Sequence, residues 1–100
     1  MKRLITPLAS ALATSLFVAT FSVSANAECF YSYKAKRDNP LQLHYGVIKV
    51  DGPCQQPPPS REIASRIARD GWSLLSVVGT VAQPKLNSER ERAGEFFLKY

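Results

Sequence analysis

Apolar and polar residues alternate over residues 29–36, which is the pattern of a β-strand with two different faces. Cysteine, two tyrosines and alanine occupy the odd positions of this stretch, while Phe30, Ser32 and two lysines occupy the even positions. Residues 37–40, Arg-Asp-Asn-Pro, supply turn chemistry, and residues 41–50 form a second strand-like stretch that contains Gly46. We therefore predict an antiparallel hairpin, in which Gly46 marks either a bulge or a close approach to the backbone.

This hairpin constrains how the two cysteines can meet. A turn centred between Asp38 and Asn39 places Cys29 opposite Ile48, well short of Cys54. A disulfide between the two cysteines therefore requires the chain to curl back after the second strand. Residues 51–53, Asp-Gly-Pro, suit such a reversal, because glycine tolerates a positive φ and proline cannot extend a strand ladder.

A helix is predicted to begin at Ser60, after three consecutive prolines at residues 57–59. The Ser60 hydroxyl is a candidate N-terminal cap, and Ile63 and Ile67, each followed by an alanine, give the helix one apolar stripe. Gly71 is expected to end the helix in a left-handed conformation. The prolines are interpreted as a stiff connector rather than as a ligand for a proline-recognition domain, because they lack a flanking docking motif.

The segment that follows Gly71 is apolar on both faces over residues 72–81. This pattern predicts a central strand, with Trp72 buried at the seam between helix and sheet; a ligand platform is the alternative role for Trp72. Residues 83–95 carry three basic and three acidic side chains and predict a mobile surface loop, whereas the alternation over residues 96–100 predicts a last strand. The expected fold is α+β, a four-stranded mainly antiparallel sheet with one helix packed on one face in the order β-β-α-β-β.

The first 27 residues have the features of a cleavable export signal. Lys2 and Arg3 precede an apolar run, and Ala25-Asn26-Ala27 forms a small-x-small cleavage site. Cleavage leaves residues 28–100 as a single small domain and lowers the net charge from +5 to +3, because Lys2 and Arg3 are removed. The alternative is an uncleaved membrane anchor, but proline, serine and threonine dilute the run. We predict a periplasmic or secreted protein with no stable membrane anchor after cleavage.

Charge and cysteine usage narrow the possible partners and cofactors. Basic and acidic residues are interspersed, so no stripe of one sign is available for nucleic acid, which we expect not to be a partner. Cys29 and Cys54 remain after cleavage and are predicted to form a disulfide in an oxidising compartment. A redox or metal pair is the alternative, but 24 residues separate the cysteines, and the two with His44 are too few for a zinc site. No cofactor, metal or catalytic residue is expected.

The order of these parts resembles a small bacterial family catalogued as domain of unknown function 4177. The resemblance is carried by an early aromatic strand, Tyr31-Ser32-Tyr33-Lys34, by the helix through Ile67, by Gly71-Trp72-Ser73-Leu74-Leu75-Ser76-Val77, and by Phe96-Phe97-Leu98-Lys99-Tyr100. The chain departs from it in the second strand, the cysteine pair, the segment over residues 83–95, and Tyr100. The resemblance implies a fold only, because the family has no assigned activity.

Two classes of function remain open at the level of sequence. The favoured one is a non-catalytic exported module that meets another envelope protein, or a second copy of itself, through an exposed strand edge or an uncovered sheet face. One short helix cannot cover all the aromatic residues of the chain. Candidate interface residues are Tyr31, Tyr33, Tyr45 and Phe97. The alternative is a small hydrolase or ligand-binding enzyme that uses His44, the single histidine, with neighbouring tyrosines.

Overall fold

The computed structural model describes residues 27–100 as one three-stranded sheet and two short α-helices. The elements are β1 (Glu28–Arg37), β2 (Gln42–Asp51), α1 (Ser60–Ile67), β3 (Ser73–Thr80) and α2 (Leu86–Ala93). The strand order is β2-β1-β3, and both neighbouring pairs are antiparallel. The predicted four-stranded β-β-α-β-β fold with one helix is therefore wrong. The predicted export signal over residues 1–27 lies, except for Ala27, outside the described residues.

β1 and β2 form the predicted antiparallel hairpin, with a different register. Cys29 pairs with Val50 rather than with Ile48, because the turn is centred one residue later than predicted, between Asn39 and Pro40. Asn39 adopts a left-handed conformation there, with φ of 63°. Moving the centre of a hairpin by one residue moves each partner by two, so every side chain keeps its predicted face of the sheet.

The predicted disulfide joins Cys29 to Cys54, with 5.0 Å between their Cα atoms. The chain reverses after β2 through Gly52, whose φ of 98° is readily accessible only to glycine. The Gly52 amide donates a hydrogen bond to the Ala27 carbonyl, 2.9 Å away. The bridge therefore fastens the segment that leads to α1 onto the start of the central strand.

α1 begins at Ser60 as predicted and covers one face of the sheet, which we call the helix face. Ile63 and Ile67 are completely buried against this face, in a core that contains Tyr31 and Ile48. Ser60 makes no capping hydrogen bond through its side chain, contrary to the prediction, because the helical hydrogen bonds begin at the Pro59 carbonyl. A 3₁₀ turn over Ala68–Asp70 extends the helix to Gly71, which has the predicted positive φ, here 84°.

The chain after β3 differs from both predictions made for it. Residues 83–95, predicted as a mobile loop, form a 3₁₀ turn (Gln83–Lys85) and α2, which buries Ala93 against the opposite face of the sheet beside Phe30 and Val47. Residues 96–100, predicted as a strand, make only one β-bridge with the described part of the chain, which is parallel, between Phe97 and Val47. A 3₁₀ turn over Gly94–Phe96 and a positive φ at Leu98 interrupt the extended backbone that a strand needs.

Candidate binding surface on the sheet

β3 is an edge strand rather than the predicted central strand, and two bulges interrupt its pairing with β1. Consecutive β1 residues Ser32 and Tyr33 pair with Gly79 and Val77, so that Val78 has no partner in β1. The same irregularity recurs at the next two residues of β1. Lys34 and Ala35 pair with Ser76 and Leu74, so that Leu75 has no partner in β1. Leu75 and Val78 are thus the extra residues of the two bulges.

The bulges decide where the apolar side chains of β3 point. An unbroken strand presents every second residue to the same face, but an extra residue makes that spacing three. Leu74 and Val77 pack against the core under α1, whereas Leu75 and Val78 are 52% and 54% exposed. The second apolar series of β3 therefore faces solvent on the side of the sheet away from α1, which we call the open face.

An apolar patch forms around these two residues on the open face. Leu43 of β2 is 66% exposed and lines a hollow of about 370 Å³ together with Lys34, Tyr45 and Leu75. A neighbouring hollow of about 330 Å³ shares Tyr45 and is lined by Val78. We call the set of five residues Lys34, Leu43, Tyr45, Leu75 and Val78 the open patch.

α2 is too short to cover the open patch. It has eight residues and packs through Ala93 and the half-buried Leu86 at the end of the sheet that holds Phe30 and Val47. It meets the patch at Tyr45, whose hydroxyl donates a hydrogen bond to Glu89 and whose ring lies under the Arg92 guanidinium. The helix therefore closes one end of the open face and leaves the other end uncovered.

The charges around the open patch are mostly positive. Glu89 is engaged by the Tyr45 hydroxyl and by Arg92, whose guanidinium lies 3.2 Å from it and 4.7 Å above the Tyr45 ring. Burial, followed by the hydrogen bond to Glu89, raises the pKa of Tyr45, which keeps the hydroxyl protonated. Lys36, which follows Lys34 by two residues in β1 and lies on the same face, pairs with Asp38 at 3.4 Å. Lys34 is exposed, and none of the ion pairs found within residues 27–100 involves it.

His44 lies on the helix face and is only 8% exposed. Its Nε2 shares a hydrogen bond of 2.9 Å with the Tyr33 hydroxyl, and its ring stacks on Phe96 at 3.7 Å between centroids. Burial, reinforced by the positive charges of Arg37 and Lys99, lowers the pKa of His44 to about 4, while Glu95 acts in the opposite direction. Its Nδ1 has no hydrogen-bond partner within the described part of the chain. His44 is therefore a neutral ring inside an aromatic cluster at neutral pH.

Trp72 completes this aromatic cluster. It is 5% exposed, lies 4.2 Å from the His44 ring between centroids, and carries the Arg37 guanidinium 4.1 Å above its own ring. Arg37 is held in turn by Gln42 and by the Asp70 carbonyl. Trp72 thus occupies the predicted seam between the α1 segment and the sheet.

The structure separates the residues that the sequence suggested as an interface. Tyr31 and Tyr33 are completely buried on the helix face, and Phe97 is half-buried beside Phe30 and Val47. Tyr45 belongs to the open patch. Leu43, Leu75 and Val78 were not among the predicted interface residues. For Leu75 and Val78 the signal was present, since β3 is apolar on both faces.

No helix among residues 27–100 is long and apolar enough to cross a membrane, and the same residues contain no group of three side chains suited to hold a metal ion. Comparison with family models, with curated proteins and with solved structures gives no match to this chain. The resemblance to domain of unknown function 4177 thus stays a prediction.

Proposed function

We propose that this protein is an exported, non-catalytic module that binds another protein through the open patch. The observation that carries the proposal is the pair of bulges in β3, which direct Leu75 and Val78 into solvent beside Leu43. Single exposed apolar residues are common on soluble proteins, but clusters of them are typical of interaction sites. Here two separate irregularities of the same strand add side chains to the same cluster.

The face of the sheet supports this role better than its edge does. A partner strand added to the free edge of β3 would need a regular row of amide and carbonyl groups. Bulges disturb that row and increase the local twist, which is one way in which proteins protect an edge from pairing. The same two bulges that weaken the edge enlarge the apolar surface of the open face, so we place the contact on the face.

Export is the second part of the proposal. The Cys29–Cys54 disulfide is consistent with an oxidising compartment, where such bridges persist. The basic start, the apolar run and the Ala25-Asn26-Ala27 site support export through a cleaved signal, with the periplasm or the medium as the destination.

Site-specific photo-crosslinking in the source cells tests the binding role. A benzophenone amino acid placed at Leu75 or Leu43 should give a crosslinked product with a second protein. The matched control is Leu41, an apolar residue of the hairpin turn that is 63% exposed but lies outside the open patch. Crosslinks at Leu75 and Leu43 that are absent at Leu41 support the proposal. No product from the patch, or equal products at all three positions, would overturn it.

A further inference from the structure

We infer that the occupant of the open patch is an acidic segment of another protein, in which a carboxylate is flanked by aliphatic side chains. This inference rests on the proposed function and adds the chemical class of the partner. The carboxylate would pair with Lys34, while the aliphatic groups would contact Leu43, Leu75 and Val78.

Lys34 lies inside the patch, beside the exposed leucines. Its side chain lines the same hollow as Leu43 and Leu75, so a partner that covers these leucines also covers the ammonium group. Removing a charge from water without pairing it is costly, and an unpaired lysine would therefore oppose docking. A carboxylate of the partner that pairs with the Lys34 ammonium group offsets this desolvation cost and makes the contact specific.

The carboxylates near the patch are already engaged by basic side chains of this chain. Asp38 pairs with Lys36, and Glu89 contacts both Arg92 and Tyr45. Lys85 lines the second hollow beside these residues. The surroundings of the patch therefore present an excess of positive charge to an approaching partner, which favours an acidic surface over a basic one.

A second copy of this chain fits the open patch less well than a different protein does. In a symmetric dimer the same patch contributes from both subunits. Two open patches placed face to face would put two Lys34 ammonium groups into one interface, whereas Asp38 and Glu89, the carboxylates near each patch, are already paired. Two like charges without a carboxylate to pair them oppose association, so we place a different protein on the patch.

A random peptide library displayed on phage is the probe for this inference. It is selected against the oxidised protein, expressed as the full chain, and the enriched peptides are synthesised with their acidic residues intact or replaced by the corresponding amides. We expect enrichment of peptides in which aspartate or glutamate adjoins aliphatic residues, with binding that weakens as salt is raised.

The Lys34→Gln variant should bind these peptides about tenfold more weakly, and Lys34→Arg should restore most of the affinity. The matched control is Lys36→Gln, because the Lys36 ammonium already pairs with Asp38; it should change the affinity less than twofold. Lys34 is exposed, so these variants are expected to fold, which circular dichroism verifies.

Three results would overturn the inference, and they differ in what they say about the proposed function. Peptides that bind without acidic preference and ignore Lys34→Gln, but are lost in Leu75→Ser, would refute the acidic partner and leave the binding role in place. No enrichment over a Leu75→Ser/Val78→Ser variant would refute both. A dimer in sedimentation equilibrium that Leu75→Ser dissociates would assign the patch to a second copy.

Discussion

The ring of Tyr33 lies against Gly46 so closely that a β-carbon at residue 46 would be 2.5 Å from the Tyr33 hydroxyl oxygen. The two residues face each other in the β1–β2 register, and Tyr33 is completely buried. This is the close approach that the sequence predicted as one of two roles for Gly46. It also explains how the Tyr33 hydroxyl reaches His44, two residues earlier in β2.

Gly46→Ala should destabilise the fold by about 1 to 3 kcal/mol, because the added methyl group displaces a ring that has no room to move. Chemical unfolding in urea measures this loss. The control is Gly79→Ala on β3, where a β-carbon would meet nothing within 4 Å; the expected change is within about 0.5 kcal/mol. Equal stability of the two variants would show that the Tyr33 ring does not occupy this position.

Removal of the disulfide should lower the free energy of unfolding by about 3 to 4 kcal/mol. The bridge closes a loop between residues 25 positions apart, and opening it restores conformational freedom to the unfolded chain. A Cys29→Ala/Cys54→Ala double variant is compared with the wild type by urea unfolding. Cys54 lies in the exposed connection after β2, so Cys54→Ser lacks the bridge but keeps the buried Cys29. Its difference from the oxidised wild type reports the bridge, and its difference from the double variant reports the packing of Cys29. A reduced wild type as stable as the oxidised protein would contradict the prediction.

The stability contributed by His44 should fall as the pH decreases from about 6.5 to about 4. An unfolded chain binds a proton on histidine near pH 6.5, whereas the folded protein holds the pKa of His44 at about 4. Between these values the unfolded state binds more protons, so acid favours unfolding, by up to about 3 kcal/mol at the lower end. Above about pH 6.5 His44 is neutral in both the folded and the unfolded state, so its full contribution to stability is present there.

Carboxylates of the unfolded chain also titrate between about pH 4 and about pH 6.5. The effect of His44 is therefore measured as the difference in unfolding free energy between the wild type and a variant without the histidine. The free energy of unfolding of the wild type and of His44→Gln is determined from pH 7 to pH 4. Glutamine can keep a hydrogen bond to Tyr33 but carries no proton of its own to titrate. The wild type should lose stability relative to the variant as the pH falls. A difference that stays constant with pH would mean that His44 titrates alike in both states.

Local signals in the sequence were sufficient for the hairpin, α1 and the disulfide. Their determinants are short-range: period-two alternation in β1, the turn at Asn39, the Ile63 and Ile67 stripe, and a glycine at the helix end. β1 also has its partner close by in the chain, because it pairs directly with β2. The predicted register of the hairpin was wrong, because the turn is centred one residue later than predicted. Side-chain alternation cannot detect this error, since a shift of each partner by two residues leaves every side chain on the same face.

α2 and the tail were mispredicted because their determinants are weak or lie in tertiary contacts. α2 is polar almost all round and buries only Ala93 fully, so no helical stripe marks it. Its ends do carry a signal, since Pro84 precedes it and Gly94 follows it, an arrangement typical of helices. The tail alternates like a strand, but Leu98 adopts a positive φ, with its amide bonded to the Val47 carbonyl.

The candidate site was mispredicted for a different reason. A strand that is apolar on both faces is usually buried on both, and the sequence rule placed β3 in the centre of the sheet on that basis. In the structure the second apolar series is exposed, because the bulges turn Leu75 and Val78 away from the core and no element within residues 27–100 covers them. The exception to the packing rule thus coincides with the proposed binding surface.

Two adjacent valines provide the sharpest test of the bulged register. Val77 packs against the core under α1, whereas Val78, the extra residue of its bulge, is 54% exposed. Val77→Ala should cost about 1 to 2 kcal/mol of stability, since it removes methyl groups that pack against the core, and Val78→Ala should change it by less than about 0.5 kcal/mol. Both variants delete the same atoms from neighbouring positions, so their difference in urea unfolding reports the direction of each side chain. The reverse order of effects would place Val78 in the core and remove it from the open patch.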